Sequence, residues 1–272
     1  MSMLYAVLLK MKPDNDSLIS PTQGHHAHAL FLNLIQQAHS TLADELHKPS
    51  AHKPFTISPL QGKFQRAEKQ LKISNSVDCW IRITFLREDL FSTFMDATFK
   101  AAGKPLRLET ALFHIDRVVL TSLDSPLCGH VTYQNLLDNA QAHRKIMLRF
   151  LSPTAFRSGG KRNVLFPEPS LVFGSYFNKW QHFSPVKLNK EITGYLKSIV
   201  ATKYKLTTHI LHYDSYQETG FEGSCTFDVP EESSDELVKS LNTLADFAFY
   251  CGTGAKTTMG MGQTRRAIAL LR

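Results

Sequence analysis

Residues 244–266 read "LADFAFYCGTGAKTTMGMGQTRR". Leu244, Ala245 and Ala248 continue an apolar helical face that begins at Leu237 and Leu241, and then Gly252, Gly254, Gly260 and Gly262 place four of the chain's 14 glycines within eleven residues. Glycine reaches positive φ and lets the backbone come close to another group. The stretch therefore predicts a helix stopped at Gly252, a tight loop, and a strand starting in "TRRAIALL".

Working outward from it, Ser233 and Glu236 have capping-box spacing at the start of the same helix. Ahead lie a strand "KIMLRFLSP", a helix "PEPSLVFGSYFNKWQHF" opened by prolines, and two strands, "KYKLTTHILHYD" and "GFEGSCTFDV", joined by a turn. The order is β-α-β-β-α-β. The first half of the chain shows the same order. "LYAVLLKMK" is a buried strand, and "HAHALFLNLIQQAHSTLADEL" carries Phe31, Leu34, Ile35, Ala38 and Leu42 at helical spacing. "VDCWIRITFL" alternates as a strand, "REDLFSTFMDATFKAAG" is a helix closed by Gly103, and "RLETALFHIDRVVLTSL" returns as a strand. The expected fold class is α+β, with two tandem ferredoxin-like domains of βαββαβ, RRM-like order. They are expected over residues 1–125 and 143–272, with a linker at 126–142.

Composition narrows the function. With 272 residues and 43% hydrophobic content, the chain is long enough for two ordinary cores. Lys and Arg number 31 against 24 acids, a net charge of +7 that favours an anionic partner. The four cysteines, Cys79, Cys128, Cys225 and Cys251, form no CxxC pair, so neither a zinc knuckle nor a disulfide framework is suggested. A reducing cytoplasm fits. The opening "MSMLYAVLLKMKP" is too short for a membrane span and lacks the marks of a signal peptide, so it is expected to be the first strand.

The glycine loop matches neither familiar nucleotide motif. "GTGAKT" has Ala255 before Lys256 and lacks the first Walker glycine, and a Rossmann fingerprint opens a helix whereas this loop follows one. Two readings remain open on spacing alone, a cradle in which exposed N–H groups meet phosphates and a glycine turn without ligand.

The same 23 residues resemble the C-terminal signature of the RAMP superfamily, in the form found in CRISPR repeat-processing endoribonucleases. Three further segments are similar to that branch in the same order: "LHKPSAHKPFTISPL", "LSPTAFRSGGKRNVLFPEPSLVFGSYFNKW" and "THILHYDSYQETGFEGSCTFDV". The resemblance implies two ferredoxin-like domains that bind CRISPR repeat RNA in a precursor transcript and cut it once per repeat. The implied nucleophile is the RNA's own 2′-hydroxyl, leaving a 2′,3′-cyclic phosphate, with no metal and no cofactor. Implied partners are the precursor crRNA and other CRISPR effector-complex subunits, with no membrane and a monomeric or homodimeric chain.

Such a cut needs a base for the 2′-hydroxyl, an acid for the leaving 5′-oxygen and a cation for the charge that develops on phosphorus. In "LADELHKPSAHKPFTISPL", residues 42–60, the resemblance places the catalytic histidine at His47, and Lys53 matches a lysine ahead of F-T-x-S, as phosphate stabiliser. Some relatives carry a catalytic tyrosine on the first helix, where Leu32 stands here. His28 lies one helical turn earlier and is the candidate replacement, with His39 and His52 as further nearby histidines. "GHHAH" could suggest a metal, but histidines at i, i+1 and i+3 do not converge on one ion from a helix. Candidate RNA contacts are Gly252, Gly254, Lys256, Thr257, Gly260, Gly262 and Arg265 around the glycine loop, and Arg157, Lys161 and Arg162 around "RSGG". Tyr176, Phe177 and Trp180 have helical core spacing rather than that of a base-stacking surface. Two other readings are a non-catalytic RNA-binding subunit of the same superfamily and a small-molecule enzyme on the same fold.

Overall fold

A computed structural model of the chain describes residues 2–50, 52–158, 162–213 and 215–267. It divides into two compact units, one made of Leu4–His130 with Thr258–Gly260, the other of the described residues up to Met3, Val131–Thr257 and the described residues from Met261 onward. The fold is α+β, with tandem ferredoxin-like units. Among the described residues no helix is long and apolar enough to cross a membrane.

The N-terminal unit runs β1 (Met3–Pro13), β2 (Ser17–Ile19), α1 (Gly24–Ala38), α2 (Ser40–His47), β3 (Phe55–Ile57), β4 (Gln65–Ala67), β5 (Gln70–Ile73), β6 (Cys79–Phe85), α3 (Glu88–Lys100), β7 (Leu106–Leu108) and β8 (Ala111–Val119). Its main sheet has the order β3-β6-β1-β8-β7 with antiparallel neighbours, while β2, β5 and β4 form a small separate sheet. A central strand has both faces covered, so β1 is a nearly unbroken apolar run in which Leu4, Ala6, Val7, Leu8, Leu9 and Met11 are all buried. The stripe of α1 packs on this sheet through Phe31, Leu34 and Ile35. Phe31 is fully buried among Phe55, Phe85 and Phe94.

Two expected elements divide where a polar side chain offers the backbone another partner. The helix expected from His26 to Leu46 breaks at His39, whose φ of −156° and ψ of 88° leave the helical region. The His39 Nδ1 accepts from the Leu42 amide at 3.1 Å and caps α2. The strand expected from Arg107 is a hairpin, β7 and β8, that turns at Glu109 with φ of 56°. The Glu109 carboxylate holds this left-handed turn by accepting from the Ser20 amide at 2.9 Å and from Gln23 Nε2 at 2.8 Å.

Residues 126–142 are built structure rather than a plain connection, containing β9 (Gly129–Thr132) and α4 (Tyr133–Asn139). Thr132 Oγ1 caps α4 by accepting from Asn135 N at 3.0 Å, and Tyr133 is fully buried against Trp180 and Phe247.

The C-terminal unit continues with β10 (Lys145–Thr154), β11 (Phe156–Ser158), β12 (Arg162–Val164), α5 (Pro169–Phe183), α6 (Ile192–Tyr195), β13 (Val200–His212), β14 (Gln217–Asp228), α7 (Asp235–Cys251) and β15 (Thr264–Ala267). Its sheet order is β13-β14-β10-β15. Each unit therefore sets its opening strand between its third and fourth principal strands, as β-α-β-β-α-β order demands of an antiparallel sheet. Ser234, one residue later than expected, is the α7 cap and accepts from Leu237 N at 3.3 Å. Asp235 and Glu236 then sit in the first turn, where their charge complements the helix dipole. Beyond Ala267 the expected last strand lies outside the described residues. Tyr176, Phe177 and Trp180 are buried core residues of α5, as their spacing predicts.

Phe31→Ala empties the centre of the N-terminal core, and it should destabilise that unit by about 3–5 kcal/mol. Denaturant unfolding of the RNA-free protein measures this, and a loss under about 1 kcal/mol would show that the four-ring cluster repacks.

Candidate active site

The three candidate catalytic side chains come from separate elements of the N-terminal unit. His28 is in the second turn of α1, His47 is in the last turn of α2, and Lys53 is in the loop that leads into β3. The break at His39 folds α2 back on α1, and the structure brings all three together. The Lys53 and His47 charges are close enough to act on the His28 imidazole.

His28 is half-buried, with its ring stacked on Phe55 at a centroid distance of 5.9 Å. Its Nδ1 lies 3.1 Å from the carbonyl oxygen of Thr258. A carbonyl only accepts, so Nδ1 carries the proton, and the neutral ring presents a lone pair at Nε2. The His28 pKa is lowered to about 4 in all, with burial the main cause. Within that total the Thr258 bond acts upward and the charges of Lys53 and His47 act downward with burial. His28 is thus a neutral imidazole at physiological pH, with one defined acceptor nitrogen.

Lys53 Nζ donates to the carbonyls of Leu46, at 2.6 Å, and Lys48. These are end carbonyls of α2, so the ammonium closes the helix that carries His47 and meets the negative end of its dipole. Burial lowers the Lys53 pKa. One of its three N–H groups is left for another acceptor. His47 itself is exposed. Leu32 is buried in the apolar core, and His39 is occupied as the α2 cap.

The glycine loop departs from the expected cradle. Gly252, Gly260 and Gly262 are buried, and their amides donate to Ala248 O, Ile57 O and Pro153 O, each at 3.0 Å. Thr253 N and Ala255 N likewise donate to Gly262 O and Ala155 O, both at 2.8 Å. These five N–H groups therefore serve the fold rather than a phosphate, because a backbone amide enclosed by the protein must find an acceptor there. The glycines are needed for close approach instead. A Cβ on Gly254 would stand 2.3 Å from Ala155 O, and Thr257 packs its methyl beside Gly262.

Lys256 is also engaged. Its Nζ lies 3.0 Å from Glu218 Oε1, donates to Tyr216 OH at 2.7 Å, and sits 3.9 Å from the Tyr216 ring centre. Arg157 Nη2 and Asn163 Nδ2 reach the same Glu218 carboxylate at 3.2 and 2.7 Å. Burial pushes the Glu218 carboxyl up, but these bonds and charges outweigh it and hold it below the usual carboxylate range. Arg265 on β15 stands directly opposite Arg149 on β10. Arg162 begins β12, and Lys161 lies outside the described residues.

Sequence reasoning missed Thr258, whose contribution is a main-chain carbonyl and so leaves no side-chain signal. It also missed Glu218, distant in the chain from the Lys256 it neutralises. The anchor of the loop was missed as well: buried Lys179 donates to Cys251 O at 2.7 Å, and Tyr176 OH bonds Thr253 Oγ1.

Residues 148–264 match the family "CRISPR-associated endoribonuclease Cas6", and residues 3–138 match the "CRISPR Cas6 N-terminal domain". The chain belongs to the Cas6 endoribonuclease family. A Cas6 of Mycobacterium tuberculosis is 30% identical over 127 residues, a match covering 45% of this chain and 38% of that protein. The chain thus spans well under half the length of that relative. A Streptococcus thermophilus Cas6 is 22% identical over 236 residues, covering 84% and 86% of the two chains. Among solved structures, a Thermus thermophilus Cas6 in a product complex superposes with a TM-score of 0.82 at 29% identity, over 98% of this chain and 100% of that one. A second Cas6 product complex superposes at 0.79 with 25% identity, again over 98% and 100%.

Gly262 has φ of +72°, and a Cβ there would stand 2.1 Å from Thr253 O. Gly262→Ala is therefore predicted to lower thermal stability before any effect on RNA is seen, by at least the roughly 1–3 kcal/mol of backbone strain. An unchanged melting temperature in the RNA-free protein would refute the buried placement.

Proposed function

We propose that this protein binds CRISPR repeat RNA in a precursor transcript and cuts it within each repeat, without a metal, to give guide crRNAs. The observation that carries the reading is the convergence of His28, His47 and Lys53, with the His28 Nδ1 committed to Thr258 and its Nε2 left as a base. His28 Nε2 takes the proton from the 2′-hydroxyl. The 2′-oxygen forms its bond to phosphorus as the bond from phosphorus to the 5′-oxygen breaks, and His47 in its protonated form gives that oxygen a proton. The products are a 2′,3′-cyclic phosphate and a 5′-hydroxyl. Lys53, with its remaining N–H, faces the phosphate charge. The solved product complexes of relatives are consistent with RNA as the ligand.

On the C-terminal unit, exposed Arg157 and the Arg149–Arg265 pair are the proposed phosphate contacts. Like charges opposite each other on adjacent strands repel, and a phosphate between them removes that cost. Lys256 and Thr257 shape the loop beside them. The repeat RNA is the proposed partner, with other CRISPR effector subunits as further partners, and the chain is a monomer or homodimer in the cytoplasm.

The deciding experiment is single-turnover cleavage of repeat RNA with EDTA present. His47→Ala and His28→Ala should each slow cleavage by roughly 10²- to 10⁴-fold with affinity little changed. A 2′-deoxy substitution just upstream of the cut should abolish it. Tight binding with no cleavage by the wild type would make the protein a non-catalytic RNA-binding subunit instead.

A base must be unprotonated to act, so kcat/KM falls as pH drops through the free-protein pKa. Because that pKa is lowered to about 4, the rate should hold well below the ordinary imidazole value of ~6.5. Measurement of kcat/KM between about pH 4 and 8 checks this, and an acid limb at the ordinary value would assign the base to another group.

A further inference from the structure

We infer that Thr258–Gly260 is a clamp that sets the tautomer of His28, and that Gly24 is the positioning residue that lets the clamp seat. The inference rests on the proposed role of His28 as the base. Three contacts within the N-terminal unit define the clamp. Thr258 O accepts from His28 Nδ1 at 3.1 Å. Gly260 N donates at 3.0 Å to Ile57 O, two residues along β3 from the Phe55 ring that stacks on His28. Between them, the Met259 carbonyl lies against the first turn of α1, at Gly24.

That last contact has no room for a side chain. A Cβ on Gly24 would stand 1.8 Å from Met259 O and 2.9 Å from Gly260 N, both main-chain atoms, where real Cβ contacts stay beyond 3.0 Å. Gly260 is restricted as well, with φ of +93° and a Cβ position 3.1 Å from the Pro59 ring. The tripeptide is therefore held between α1 and β3 and has nowhere to move without losing one of its bonds. Gly24 and His28 are four residues apart, on one face of α1. Any side chain at Gly24 must drive the Met259 carbonyl away by more than an ångström, and the neighbouring Thr258 carbonyl with it.

A neutral imidazole has one donor and one acceptor nitrogen, and the bond at one decides the state of the other. With Thr258 O in place, Nδ1 is the donor and Nε2 the base. With the carbonyl displaced, neither the tautomer nor the ring orientation is held, and a misplacement of this size can cost up to 10²-fold in rate. The charged groups that act on the ring, Lys53 and His47, are not among the atoms a Gly24 side chain would meet first.

The test combines spectroscopy and kinetics on the full chain. In wild-type protein with 15N-labelled histidine, assigned by comparison with His28→Ala, His28 should show a protonated Nδ1 and an imine-type Nε2 near neutral pH. Gly24→Ala should lose that signature and cleave repeat RNA about 10- to 100-fold more slowly, with the Kd for a 2′-deoxy repeat RNA within about twofold of wild type. Wild-type His28 protonated at Nε2, or Gly24→Ala retaining both spectrum and rate, would overturn the clamp. His28→Ala cleaving like wild type would instead overturn the base assignment and Gly24's part in the reaction with it. If Gly24→Ala does not fold, by circular dichroism, the wild-type spectrum decides alone.

Discussion

A helix that ends inside a protein must find donors for its last carbonyls, and at α7 this requirement organises the whole segment from Cys251 to Gly262. Lys179 supplies the donor, from a buried position on α5, and burial lowers its pKa. An ammonium taken out of water is costly unless its protons are used. Here they meet Cys251 O and Gly252 O at the negative end of the α7 dipole. Tyr176, Thr253 and Thr264 extend the same network to the carbonyl of Gly262. The loop's path is thus decided by hydrogen bonds, and its glycines are the residues small enough to follow it.

Charge in the N-terminal unit follows a complementary rule. Three groups able to carry positive charge, His28, His47 and Lys53, are gathered, and the charges of the other two act against a proton on His28. Burial, reinforced by the charges of Lys53 and His47, lowers the pKa of His28, and burial lowers that of Lys53. An arrangement of that kind is relieved by an anion, and a phosphodiester brought among them would raise both. The C-terminal unit treats its cations differently. Lys256 and Arg157 share Glu218, and Arg266 is paired with Asp246 at 3.1 Å. Charge alone therefore does not mark a binding surface, since Lys256, named from the sequence, is spent on Glu218, while exposed Arg157 commits only one end of its guanidinium to it.

Much of the fold was legible because it depends on local patterns. The α1 stripe of Phe31, Leu34 and Ile35, the proline-opened α5, and the stop at Gly252 each follow from periodicity and backbone preference at adjacent residues. The failures share a cause in polar side chains that offer the backbone a second partner. His39 breaks one helix into two, and Glu109 turns one strand into two, because each side chain accepts hydrogen bonds where periodicity alone would carry the element onward. The capping signal at α7 was displaced by one residue, since Ser233 and Ser234 are chemically alike and only the chain's entry path selects between them.

The sequence by itself determined the order of the principal elements, the cores of both units, the family, and the residue types that the proposed RNA cut needs. It could do so because apolar periodicity and a motif such as "LADELH" are written in neighbouring residues. Only the tertiary structure decided which histidine nitrogen is free, which lysine is already paired, and whether the loop's amides point outward or inward. Those outcomes rest on the Thr258 carbonyl, the Glu218 carboxylate and the carbonyls of Ile57 and Pro153. All are distant in the chain, and most belong to the backbone, which is the same at every position and so carries no signal until the fold brings it into place.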